Sequence, residues 1–167
     1  MPEPLQTSDH DQTLPGLALM GELSEEIRAQ LAQAGRFETL PVGAYLATQG
    51  QPHHNLGIVL SGKLSVSVHA HGDTVHLATL GPGETVGEMN FIDPHPASAD
   101  VVVVEEPARI WSIAEADFAA FVERNPAAGY TILKVLAREL CRRLRLGSEK
   151  MLRQVEAARL YYRDLDY

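Results

Sequence analysis

A single cysteine, Cys141, stands in a chain of 167 residues, which excludes a disulfide framework and a four-thiolate iron-sulfur site within one chain. No run approaches the ~20 apolar residues of a membrane span. The opening MPEPLQTSDHDQTLPG has no basic segment followed by an apolar one, so the expectation is a cytoplasmic chain that makes no use of a membrane. Basic residues are scarce through most of the sequence. Residues 1–122 hold four (Arg28, Arg36, Lys63, Arg109) against sixteen acidic residues, net −12, whereas residues 123–167 hold ten against six, net +4. An acidic body repels a phosphate backbone, which argues against direct nucleic-acid binding there, and the C-terminal bases read as the solvated face of a helix. GxSxG and GxxxxGK[ST] motifs are absent, as is a paired Cys and His in catalytic context, so hydrolase and nucleotide-triphosphatase chemistry has no residues to carry it. A non-enzymatic chain is expected. Gly81-Pro-Gly83-Glu-Thr-Val-Gly87 is no dinucleotide loop either, because Pro94-His95-Pro96 breaks the helix that a βαβ unit would need.

What is present divides into four stretches. Residues 1–21, rich in Pro, Asp, Gln and Thr, read as a mobile tail. Ser24 is a good N-cap for a short helix, Glu25 and Glu26 suit its positive end, Ile27 and Leu31 share a face, and Gly35 can close it. From Phe37 to Ile113 short apolar stretches are cut by turn residues every eight to twelve positions, the punctuation of a sandwich or roll. Breaks are expected at Pro41 to Gly43, Gly50 to Asn55, Ser61-Gly62, His71 to Asp73, Gly81 to Gly83, and between Val104 and Ala108. In KLSVSVH, Leu64, Val66 and Val68 alternate with polar neighbours, so one side faces a core. After Ile113 the period becomes helical, with Phe118, Phe121 and Val122 on a short helix that Asn125-Pro126 ends. The stretches predicted are a tail over 1–21, a β unit with flanking helices over 22–125, one long helix over 126–160, and a short tail over 161–167.

In that helix Leu133, Ala137, Leu140, Leu144, Gly147, Met151, Val155 and Ala158 recur at steps of three and four. A continuous helix from 126 to 160 would be about 50 Å long, more than a β unit of this size can cover. Its far half therefore calls for the same helix of a second copy about a twofold axis. Leu133, Ala137, Leu140, Leu144 and Met151 are the expected homodimer contacts.

The segment LGPGETVGEMNFIDPHPASADV, residues 80–101, carries the chemistry. Two close glycines turn the chain, Val86-Gly87-Glu88 leads into a turn of helix, and a Pro-rich loop returns through Ala97, Ser98 and Ala99. Free backbone N–H groups there, with the Ser98 hydroxyl, suit an anionic oxygen. The runs LPVGAYLATQGQPHHNLGIVLSGKLSVSV, LGPGETVGEMNF and ASADV, with glycines 43, 50, 62, 83 and 87 in order, resemble the cyclic nucleotide-binding domain of catabolite-activator-type (Crp/Fnr-like) regulators and cyclic-nucleotide-dependent kinases. The run NPAAGYTILKVLARELCRRLRLGSEK resembles the long dimer helix of the activators. The resemblance implies a mainly β, jelly-roll (β-roll, double-stranded β-helix) domain with flanking helices and a C-terminal dimerisation helix, acting in regulation or signalling. It implies a phosphate cassette over 86–99, with cyclic AMP or cyclic GMP as its ligand.

Carried over residue by residue, the resemblance makes Gly87 a backbone donor to phosphate and Glu88 the acceptor of a ribose hydroxyl. Ser98 becomes a second phosphate contact, with Met89 and Ala99 beside the site, and Ser148 reaches the base from the partner subunit. Ala97 stands where the family has an arginine that neutralises the phosphate. A charge-assisted bond to phosphate is about twice as strong as a neutral one, and no lysine or arginine lies between Lys63 and Arg109, so weak or absent binding of cyclic AMP and cyclic GMP is expected. His95, Arg109 and Lys63 are the candidates to replace it; a loop histidine and two outward strand residues are the plainer readings. No helix-turn-helix fits after Leu160, which leaves a homodimeric sensor acting through a ligand or another protein. The alternatives are an intact effector domain from a longer transcription regulator, or a cupin-like metal enzyme built on His69-x-His71 and His76. Gly72 and Asp73 follow His71 where cupins place a glutamate, so these histidines read as hairpin residues, and no metal site is expected. Cys141, beside Leu140 and Leu144 and among arginines, reads as a packed thiol on the helix seam.

Overall fold

The computed structural model describes residues 12–163. The elements run, after a 3-10 turn at Ala18–Glu22, as α1 (Glu25–Ala34), β1 (Arg36–Leu40), β2 (Tyr45–Ala47), β3 (Asn55–Ala70), β4 (Asp73–Leu80), β5 (Thr85–Val86), α2 (Glu88–Ile92), β6 (Asp100–Ala114), α3 (Glu115–Arg124) and α4 (Pro126–Arg163). Ser24 caps α1 as expected, its Oγ accepting the Ile27 N–H at 3.3 Å. The strands form one antiparallel sheet in the order β1-β6-β3-β4, with β2 on β6 and β5 on β3.

Two expected breaks are bends instead. β3 runs unbroken through Ser61-Gly62, and β6 through the stretch between Val104 and Ala108. Their pairing shifts register between Val59 and Lys63, where Gly62 has φ +79° and Glu105 φ +70°. A side chain at 62 would meet the Ala108 backbone. A bulge therefore curls a continuous ladder where a turn was expected. The two-residue strand β5 falls below what periodicity can register.

Residues 12–21 are no tail. Leu14 and Met20 are buried, and Arg28 holds this segment by donating from Nε to the Leu14 carbonyl at 3.1 Å and from Nη1 to the Leu23 carbonyl at 2.5 Å. A guanidinium spends its donors on otherwise unpaired carbonyls, a role that local composition does not reveal. The remainder of the expected tail, residues 1–11, lies outside the described residues, as do residues 164–167. The last helix extends through residues 161–163, which were also expected to be tail.

Buried side chains gather in two clusters. One joins Leu14, Met20, Leu31, Trp111, Phe118, Phe121, Ile132 and Leu136 between the helices and the sheet. The other, with Val59, Leu64, Leu80, Val86, Ala97, Val101 and Ile110, fills the roll. Trp111 belongs to the first and donates from Nε1 to the Ala32 carbonyl at 3.2 Å, pinning α1 to β6.

Gly35 lies directly against the Trp111 ring and the Ser112 carbonyl, leaving no room for a Cβ. Gly35→Ala should destabilise the chain by about 1–3 kcal/mol through overpacking. Urea unfolding followed by the fluorescence of Trp111, the one tryptophan in the sequence, measures this, and an unshifted midpoint contradicts it.

Candidate functional site

The cassette is built by a short strand, a forced turn and a clamped loop. β5 pairs with β3 at Gly57 and Ile58. Gly87 then reverses the chain at φ +80°, where a Cβ would run into the Asn55 carbonyl and the His53 imidazole. Both the left-handed backbone and the close approach demand glycine. The loop after α2 is held at its end: the Ala97 N–H donates to the Gln51 carbonyl and the Gly50 N–H to the Ala97 carbonyl, each at 2.8 Å. Asn90 closes it from within, its Nδ2 donating to the carbonyls of His95 and Pro96.

These elements enclose a cavity of about 120 Å³, lined by Gly87, Glu88, Met89, Ala97, Ser98 and Ala99, by Thr85 and His53, and by Arg143 of α4. The six cassette residues expected from the sequence are thus brought together. Ser148 is not among them; it is exposed on α4 with its hydroxyl donating to the Leu144 carbonyl at 3.0 Å. None of the three candidates to replace the missing arginine lines the cavity. Lys63 pairs with Glu105 at 3.0 Å, His95 faces Asp93 at 3.3 Å, and the Arg109 guanidinium sits over the Phe37 ring.

Arg143 does line it, so a cation reaches the cavity although none lies between Lys63 and Arg109 in the sequence. Its Nη1 lies 2.5 Å from Glu88 Oε1, and its Nη2 donates to the Thr85 carbonyl and hydroxyl at 3.1 and 3.2 Å. Glu139, one helical turn back, braces the guanidinium at Nε from 3.0 Å. Arg143 stands 55 positions from Glu88, so a search of the cassette's neighbours in sequence misses it. One signal existed: buried Ile132 and Leu136 face the body, and steps of three and four continue that face to Glu139 and Arg143. Charged residues extending a core-facing stripe call for partners on the body.

Glu88 is only 4% exposed. Burial raises its carboxyl above the ordinary value, and the Arg143 charge opposes that rise. Its Oε2 is buried without a hydrogen-bond partner among the described residues, and so is His53 Nε2. Burial likewise lowers the His53 imidazole below its usual value, keeping it neutral near pH 7.

At the loop's exit Asp100 accepts the Gln49 N–H at 2.7 Å and pairs with His69 Nε2 at 2.8 Å. The Gln49 N–H first, and His69 after it, hold its carboxyl below the usual range. His76 lies 3.1 Å from the Ser65 hydroxyl. Among the described residues no group of His, Cys, Asp and Glu is placed to hold a metal ion.

Residues 37–125 match the cyclic nucleotide-binding domain family. The chain belongs to that family. The Pycsar effector protein XpPycTIR of Xanthomonas perforans is 33% identical over 120 residues, 71% of this chain and 38% of that protein. The cyclic AMP receptor protein of Thermus thermophilus is 33% identical over 121 residues, 72% of this chain and 55% of that protein. A solved cyclic nucleotide-binding domain from Methylobacillus flagellatus aligns with a TM-score of 0.74 at 25% identity, over 79% of this chain and 74% of that one. The chain thus spans about two fifths and about half of the two curated relatives. The β-roll with flanking helices and a long C-terminal helix is the fold of this family, and the chain is a regulatory-type module of the Crp-like kind. Among the described residues no helix is long and apolar enough to cross a membrane.

Arg143→Ala should leave a buried carboxylate unpaired and cost roughly 3 kcal/mol at neutral pH. Glu88 already titrates above its ordinary value of 4.5, so its folded form binds a proton that the unfolded form releases, and stability falls as pH rises from there. Without Arg143 that fall steepens. The variant's deficit should be small at acid pH, where Glu88 is protonated, and grow toward pH 7 in denaturation curves. A deficit independent of pH overturns the assignment.

Proposed function

We propose that the chain is a non-enzymatic, homodimeric cytoplasmic sensor whose cassette retains hydroxyl recognition and has lost phosphate recognition, so that cyclic AMP and cyclic GMP bind weakly or not at all. The observation that carries this reading is the state of the cavity's charges. Ala97 is buried where a phosphate-pairing arginine is expected, and the guanidinium that reaches the cavity is engaged by Glu88 and Thr85. A cyclic phosphate would enter without a free counter-charge, and a group bearing full charge is costly to desolvate unpaired. The cavity's 120 Å³ is also below the ~300 Å³ at which ligand pockets of drug-like size begin. The residues present therefore lack the free charge that the phosphate of a cyclic nucleotide would need.

Dimerisation rests on the face of α4 that its own roll leaves uncovered. Leu144 and Met151 are 72% and 66% exposed, Leu133 and Ala137 are also exposed, and Leu140 is half-buried. These five are the proposed contacts, with Ser148 beside them and turned toward the partner. The exposed Cys141 flanks that face. The output passes to another protein or to further segments of a longer regulator; DNA is not its direct target.

A second reading has one specific support, the presence of Arg143 in the cavity: a ligand phosphate could draw it off Glu88 and restore an intact cyclic nucleotide site. Calorimetry separates the two. The proposed reading expects no binding of cyclic AMP or cyclic GMP tighter than about 100 μM, and a gain of about 1.5–3 kcal/mol in Ala97→Arg, the value of a hydrogen bond to a charged group. Micromolar binding by the unaltered chain, lost in Arg143→Ala, supports the second reading instead. For the dimer, Leu144→Glu combined with Met151→Glu should sediment as a monomer where the unaltered chain sediments as a dimer; equal sedimentation contradicts the proposed seam.

A further inference from the structure

Thr85 is 1% exposed, so it offers a ligand no surface, yet both of its oxygens are in use. The Arg143 guanidinium spends its N–H donors on four acceptors: Nε on Glu139, Nη1 on Glu88, and Nη2 on the carbonyl and the hydroxyl of Thr85. Glu88 and Glu139 hold it by charge, and Thr85 holds it by position. Pairing with Ile58 ties the Thr85 backbone into the sheet, and a β-branched side chain has little χ1 freedom, so its two oxygens make a fixed fork for one nitrogen. The Arg143 side chain is nevertheless 29% exposed and lines the cavity with Gly87, Ala97 and Ser98. Its charge borders the space where a phosphate would enter.

We propose that Thr85 is a positioning residue that sets this cassette's selectivity against phosphate: its hydroxyl keeps Arg143 on Glu88 and withholds it from an anion in the cavity. The inference rests on the weak-binding reading above and names the group that enforces it. An incoming phosphate has to draw the guanidinium off its acceptors, and the affinity for a site whose key group is withheld falls by the fraction of chains in which that group is free. A ligand without a phosphate makes no demand on Arg143 and meets no such penalty. Deleting the Thr85 hydroxyl therefore loosens one hold on the guanidinium and leaves Gly87, Glu88 and Ser98, the groups a nucleotide would meet, in place.

Calorimetry of the full chain with cyclic AMP and adenosine, on the unaltered protein, on Thr85→Val and on the conservative Thr85→Ser, tests this, with Trp111 fluorescence confirming that the variants fold. Thr85→Val should bind cyclic AMP at least about tenfold more tightly than the unaltered chain, the worth of a hydrogen bond to a charged group. Adenosine should be unmoved, and Thr85→Ser, which keeps the hydroxyl, should stay at the unaltered value. A merely structural role would move both ligands together. Thr85→Ala makes the same deletion in a smaller side chain and carries the test if the valine variant does not fold. No gain for cyclic AMP on deleting the hydroxyl overturns the inference and leaves the weak-binding reading standing, and an equal gain for adenosine overturns it as well. Micromolar cyclic AMP binding by the unaltered chain overturns both.

Discussion

A carboxylate almost wholly removed from water can stay ionised only if something meets its charge, and Glu88 is met by Arg143. Each depends on the other. Glu88 sits at the head of α2 because Gly87 turns the chain there; Arg143 points inward because Ile132 and Leu136 set the phase of α4 against the roll. Thr85 completes the arrangement by accepting from the same guanidinium through its carbonyl and hydroxyl. Cassette and helix therefore share one electrostatic contact, and that contact decides how much charge is left for anything else entering the cavity.

Much of this was legible in the residues. The burial of Leu64, the cap at Ser24 and the turn at Gly87 are short-range features, and short-range features are what a sequence displays openly. Gly87, Glu88, Met89, Ala97, Ser98 and Ala99 share one short segment that carries the family resemblance and they line one cavity, whereas Ser148, on a distant helix, does not. What escaped was long-range or countermanded by tertiary context. Arg28 captures the segment around Leu14 by bonds to its carbonyls. Arg143 pairs with Glu88 from 55 positions away, and its pairing follows from helix phase rather than from proximity in the chain. Ser61-Gly62 carries the usual marks of a turn, yet β6 lies alongside and the ladder runs through it with a bulge. His53 could not be singled out, since nothing local tells an imidazole facing a glycine from one facing solvent.

The two buried clusters divide the labour of the fold. The one around Trp111 fastens the helices to the sheet, and the one inside the roll, to which Ala97 belongs, supports the cassette from behind. A residue at 97 thus answers to two demands, filling the roll and facing the cavity. Alanine satisfies the first fully and leaves the second without charge.

The continuity of α4 has a mechanical side. Its hold on the roll ends near Arg143, and at 1.5 Å per residue the helix carries on about 30 Å to Arg163. A rigid rod fixed near one end works as a pointer: tilting it by about five degrees at the fixed point swings the free end by roughly 2.6 Å, given that length. Small adjustments where Glu88 grips the guanidinium would be read out, magnified, at the distant tip.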